Sequence, residues 1–268
     1  MMRKYLTVLR IGLADRFAYR ANFFLGTLMR LLPFVTVVCF WEAVMAGAPA
    51  DAFEGYDRRS IVGYFVLVFL ARAFSSMPGL ARETAKDIRE GGLNRYLVRP
   101  IDYGVYQLLL RASHKTVYLA TLAVPFGVFV WLMSAYFPDA PGPERIAAGL
   151  AALLLAFVIG FHFHLLMGLL GFWFLEVTTF LFVVDLIEYL LSGQMIPLDL
   201  LPEWARAVSH WLPFQYTAFV PAAILIGRIP EGEIGVRLLI GVGWAVVFAA
   251  ATRLVFARGV RRYAAYGG

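Results

Sequence analysis

Cysteine is nearly absent from this chain of 268 residues. The single one, Cys39, lies inside an apolar run, which excludes an internal disulfide framework and any zinc site built from paired cysteines. Charge is scarce as well, at 16% of residues against about 25% in soluble domains. No Gly-x-x-x-x-Gly-Lys-Ser/Thr phosphate loop occurs, so the chain cannot hold ATP in the P-loop manner. A Gly-x-Ser-x-Gly elbow and a His-Glu-x-x-His motif are also missing, leaving an intramembrane enzyme without a recognisable nucleophile or metal set.

What is present is apolar. Hydrophobic residues make up 61% of the chain and aromatic residues 16%, with a mean hydropathy of +0.73. They come in runs of roughly 20 residues, the length a helix needs to cross a hydrocarbon core of about 30 Å. The sequence therefore reads as an all-α integral membrane protein, because continuous apolar runs fit helices and not an alternating barrel. The net charge of +6 is assigned to Lys and Arg facing anionic headgroups, not to nucleic acid.

Six spans are expected, over residues 22–45, 61–77, 116–137, 146–169, 172–191 and 234–257. The N-terminal segment, the stretch from Arg82 to Lys115 and the C-terminal end together carry sixteen of the 24 basic residues. That bias predicts both termini on the cytoplasmic side. Residues 1–21 read as a basic amphipathic helix lying in the interface, with Leu6, Leu9, Leu13 and Phe17 opposed to Arg3, Lys4, Arg10 and Arg16. The same scatter of charge leaves no clean apolar region for a cleavable signal. Spans four and five are joined only around Leu170-Gly171, which predicts a tight hairpin, and a Pro-Gly turn at residues 138–143 joins spans three and four. No internal repeat and no domain linker is visible, so residues 1–268 read as one domain.

After span five, Gly193, Pro197, Pro202, Pro213 and Pro221 break the chain into pieces too short to span. Residues 192–230 are expected to form an extracellular re-entrant hairpin, with Trp204 and Trp211 marking the interface.

Ionisable residues within apolar runs need partners or water. Arg30 and Arg72 lie in or near spans one and two, and Glu176, Asp185 and Glu188 lie on span five. Asp185 and Glu188 are three residues apart and share a helix face. They either line a path for a polar or cationic substrate, or reach the headgroups or a neighbouring subunit. Glu176 is expected to pair with an Arg. His162 and His164 point roughly 200° apart on a regular helix and cannot both ligate one metal, so no metal site is expected.

The stretch 78–106 is the densest in charge. Arg82, Glu83, Lys86, Asp87, Arg89 and Glu90 lie on a helical pattern with opposite-charge pairs at i,i+3 and i,i+4 spacing. Gly91-Gly92 ends it, and Leu93, Tyr96, Leu97 and Val98 form an apolar face to lie on the membrane. A charged helix between two spans is a place for a soluble partner to hold.

Here the sequence resembles the permease subunits of exporter-type ABC transporters, in the type-2 permease family. The likeness is carried by the run Asp-Ile-Arg-Glu-Gly-Gly-Leu-Asn-Arg-Tyr-Leu-Val-Arg-Pro-Ile-Asp at residues 87–102. It is also carried by Leu-Ser-Gly-Gln-Met-Ile-Pro-Leu-Asp-Leu-Leu-Pro at 191–202, and by the opening Met2-Arg3-Lys4-Tyr5-Leu6 with Tyr19-Arg20-Ala21-Asn22-Phe23. The resemblance implies six spans, an interfacial N-terminal helix, a cytoplasmic coupling helix between spans two and three, and a re-entrant hairpin before span six. It further implies two separately encoded ATPase subunits that bind ATP and magnesium. A second permease, the same chain or a related one, completes the complex.

The expected function is the permease subunit of an ATP-driven exporter in the bacterial cytoplasmic membrane. It would move a hydrophobic or amphipathic substrate from the cytoplasm or inner leaflet, with no cofactor on this chain. The alternatives are an ion-coupled secondary transporter or channel working through Glu176, Asp185 or Glu188, and an intramembrane enzyme acting on lipid.

Overall fold

A computed structural model describes residues 7–10, 12–13, 20–47, 49, 53, 55–98, 100–132, 141–174 and 176–266. Among them there is no strand. The helices are α1 (Arg20–Gly47), α2 (Arg58–Ser75), α3 (Leu80–Arg89), α4 (Tyr103–Leu132) and α5 (Pro143–Leu169). They continue as α6 (Thr178–Leu191), α7 (Glu203–Trp211), α8 (Phe219–Leu225) and α9 (Glu231–Tyr266). Three described stretches, 59–89, 143–172 and 231–263, are long and apolar enough to cross a membrane. The protein is all-α and integral to the membrane, as the composition requires.

Local chemistry sets the helix ends. At the start of α2, Ser60 N–H donates to Asp57 Oδ1 at 2.8 Å while Asp57 N–H donates to Ser60 Oγ at 3.0 Å, a reciprocal cap. Helix α5 begins with Pro143 at its first position, where a missing N–H costs nothing.

Helix α5 is the spine, packed against α9, α3, α8 and α2. Two apolar cores form along it. One joins Trp41, Tyr64, Phe65, Ile159, Tyr216 and Phe219 with the small residues of α8. The other joins Met77, Leu80, Ile88 and Leu93 to Phe161, Leu165, Leu169 and Phe172.

Helix α6 differs from the expected span. It is 14 residues long, about 21 Å at 1.5 Å per residue, and starts six residues later than hydropathy suggests. The chain leaves α5 through a 3₁₀ turn at Leu170–Phe172. Helix α6 opens where Glu176 Oε1 accepts from Thr178 N–H at 2.7 Å. Hydropathy could not see this polar start.

Of the N-terminal segment, residues 7–10 and 12–13 are described and helical. Ser113 Oγ on α4 donates to Leu9 O at 3.3 Å, and Arg10 is exposed. Arg3, Lys4, Arg16 and the Arg30 side chain lie outside the described residues, as does the 138–140 part of the expected turn.

Residues 192–229 form two short helices of opposite character. In α8, Phe219 to Ile224 are all buried. On α7, Trp204, Val208 and Trp211 form an exposed apolar stripe at i, i+4 and i+7, the disposition of an amphipathic interfacial helix. Gly193 has φ +85°, and an added Cβ would lie 2.7 Å from Tyr64 Oη, so glycine alone suits that bend. Tyr64 Oη donates to Gly193 O at 2.7 Å, anchoring the bend to α2.

Candidate functional site

Two assemblies of polar residues stand out, one on α3 and one between α2, α5 and α6. On α3 the residues Leu80, Ala81, Thr84, Ala85 and Ile88 are buried, which at helical spacing makes one continuous inner face. That face rests on the end of α5 at backbone distance. A Cβ on Gly168 would lie 2.7 Å from Ala81 O, and one on Gly171 would lie 3.0 Å from Ala85 Cα. Side chains larger than hydrogen would lift α3 off its seat.

The outer residues of α3 divide into two sets. Arg82, Lys86, Arg89 and Glu90 are exposed. Lys86 and Glu90 pair at 3.8 Å, both largely in solvent, so the pair contributes only a few tenths of a kcal/mol. Glu83, also exposed, and the more buried Asp87 each pair with an arginine further along the chain. Glu83 forms an ion pair with Arg111 of α4, which also donates to Pro78 O at 3.2 Å. The expected Glu83–Lys86 pair gives way to this partner because Arg111 is buried and has more to gain from a carboxylate. Asp87 Oδ1 accepts from Arg95 Nη2 at 2.9 Å. Burial pushes its carboxyl above the usual carboxylate range, and the Arg95 guanidinium pulls it partly back. Lys86 and Arg89 in the last turn also complement the helix dipole.

The segment behind α3 does not present one apolar face. Leu93 is fully buried in the second core, whereas Leu97 and Val98 are exposed. Tyr96 is half-buried against the rings of Tyr103 and Tyr106. Burial raises its phenol to about 12. Tyr96 therefore packs within the protein as well as at its edge.

The second assembly contains the acidic residues of α6. Glu188 is buried, and its Oε1 accepts from Arg72 Nη1 of α2 at 2.6 Å. His164 of α5 lies beside it, with Nε2 3.7 Å from Glu188 Oε2 and 4.0 Å from Asp185 Oδ1. Asp185 is half exposed, its side chain 52% accessible. Glu176 is not in this cluster. It is exposed at the start of α6, 3.9 Å from Arg89 Nη1, and the N–H and hydroxyl of Thr178 hold its carboxyl below the usual range. The three acidic residues thus occupy three environments: a capping position, a cavity wall and a buried ion pair.

Arg72 separates two cavities. One of about 440 Å³ is mainly apolar and runs along Val37, Phe65, Phe69 and Tyr118, with Lys115 in its wall. The other, of about 400 Å³, opens between Arg82, His164, Asp185 and Gln194. Arg72, Ser76, Pro78, Tyr189 and Gln194 border both.

Sequence reading missed the Arg72–Glu188 pair, although its signal was available. A basic and an acidic residue, each inside an apolar run, need one another more than either needs lipid. A second lock was also missed. Asp199 Oδ2 accepts from Arg228 Nε at 3.1 Å and Nη2 at 3.0 Å, Tyr56 donates to both Asp199 oxygens at 3.1 Å, and the guanidinium lies 4.1 Å from the Tyr56 ring centroid. Burial and the Asp199 charge raise the Tyr56 phenol, so it stays protonated. Tyr56 and Asp199 are 143 positions apart, which left no periodicity to read.

Residues 31–267 match a family model described as ABC-2 family transporter protein. No curated protein matches the chain.

Proposed function

The chain belongs to the ABC-2 transporter family, a family of membrane permease subunits that work with a partner ATPase, and from that premise we propose that α3 is its coupling helix. In this reading the exposed Arg82, Lys86 and Arg89 meet the ATPase, and the close seat of Ala81 and Ala85 on Gly168 and Gly171 passes its movement to α5. One observation carries the reading. The outer face of α3 exposes Arg82, Lys86 and Arg89, while its inner face is held to the spine at backbone distance. A helix loosely attached to the spans could not transmit a displacement of an ångström or two.

The direction of transport is outward, and the substrate is hydrophobic or amphipathic. The apolar cavity of about 440 Å³ with Lys115 and Arg72 at its wall supports that class. ATP and magnesium belong to two ATPase subunits, and a second permease, identical or related, completes the complex. Both termini face the cytoplasm of a bacterial cell. An ion-driven mechanism through Glu188 is the weaker reading, because Arg72 already holds its carboxylate at 2.6 Å.

The test is reconstitution with a candidate partner ATPase. Co-purification, and efflux that stops without ATP hydrolysis while surviving collapse of the proton gradient, is the expected outcome. Efflux that continues without ATP and collapses with the gradient would overturn the reading.

A further inference from the structure

The geometry around His164 points to a divalent cation site, and we propose that His164, Asp185 and Glu188 bind one borderline transition-metal ion between α5 and α6. The inference goes beyond the transport reading and stands or falls separately from it.

The tautomer of His164 is the key. Its Nδ1 lies 2.8 Å from Gly160 O. A carbonyl oxygen only accepts, so Nδ1 carries the hydrogen, and in the neutral ring Nε2 bears a lone pair. Nε2 lies 3.7 Å from Glu188 Oε2 and 4.0 Å from Asp185 Oδ1. Three such donor atoms within 4.8 Å of one another are held together by a proton on Nε2 or by a metal cation among them. Arg72 does not fill that role, because it bonds Oε1 of Glu188, on the other side of the carboxylate. Two carboxylates and two guanidinium groups, Arg72 and Arg82, line the cavity with the imidazole.

The donor set also selects the ligand. One imidazole nitrogen with two carboxylate oxygens suits zinc, cobalt or manganese better than calcium or magnesium. Bonds of about 2.0–2.2 Å require donors about 3.3 Å apart in a tetrahedral shell, so the nitrogen–oxygen distances of 3.7 and 4.0 Å, and carboxylate oxygens up to 4.8 Å apart, have to close by about 0.4 to 1.5 Å. Asp185, half exposed on the short helix α6, is the group able to move. The Nδ1–H bond to a backbone carbonyl is the outer-shell contact that orients metal-binding histidines. The cavity of about 400 Å³ gives access, and its remaining wall leaves open positions for water.

Purified complex with its ATPase, stripped by chelator, is titrated with Co²⁺ and read by visible absorption, with Zn²⁺ competition as a second readout. Saturable uptake of one ion per chain at micromolar concentration is expected. Asp185→Asn should lower affinity at least about tenfold, since loss of outer-shell partners alone costs that much. His164→Gln should abolish the visible band, and His162→Gln should leave it unchanged. Asp185 is half exposed, so its variant keeps the fold and decides the matter if the His164 variant is unstable. No uptake by the wild type, or equal uptake by the Asp185→Asn protein, overturns the proposal.

Discussion

Helix α5 meets α3 near Leu169 and α8 near Pro143, and charge is disposed oppositely at the two contacts. Beside α3, basic side chains point outward from a buried apolar seat. Beside α8, they point inward: Arg145 donates to Ile229 O at 3.1 Å and pairs with Glu231 at 3.4 Å, and Arg228 is held by Asp199 and Tyr56. Inward-turned charges close the second contact on itself, because paired groups with satisfied hydrogen bonds have little left for a partner. The α3 contact keeps Arg82 and Lys86 exposed while spending its packing on rigidity. One end is therefore closed on itself, and the other leaves basic side chains exposed.

The comparison can be broken first at the seat of α3. Gly168→Leu forces a side chain into the backbone of Ala81, and overpacking of this kind costs about 3 kcal/mol. Thermal unfolding of the purified complex should show the loss, accompanied by ATP hydrolysis uncoupled from transport. Unchanged melting would mean that α3 is not held as closely as Gly168 implies.

The lock at the other end should yield less. Asp199→Ala strands Arg228, whose side chain is 27% exposed and so keeps some access to water. Loss of its charge-assisted bonds should cost about 2 kcal/mol. The same variant should still bind the ATPase, since the lock lies at the opposite end of α5. Loss of ATPase binding without loss of stability would erase the distinction between the two ends.

The apolar helices and the charged stretch on α3 were legible in the sequence, because hydropathy and spacing are local properties. Partner choice was not legible. Glu83 lies three residues from Lys86, yet pairs with Arg111 because a buried guanidinium outcompetes a solvated ammonium for a carboxylate. Leu93 was grouped with Leu97 and Val98 as one apolar face, but only tertiary packing decides that Leu93 enters the core. Asp185 and Glu188 read as a pair on one face, while their neighbours on α2 and α5 give each a separate place. Long-range pairs such as Tyr56–Asp199 follow from burial, which a linear pattern does not record.

The smallest expected change in stability belongs to the most direct test. Arg82→Glu with Lys86→Glu alters only exposed charge on α3, so unfolding should shift by no more than about 0.5 kcal/mol. The measurement is binding of the partner ATPase to this double variant, made beside a melting curve of the same preparation. The account predicts a folded permease that no longer retains the ATPase. Wild-type binding and wild-type coupling in the charge-reversed protein would contradict it.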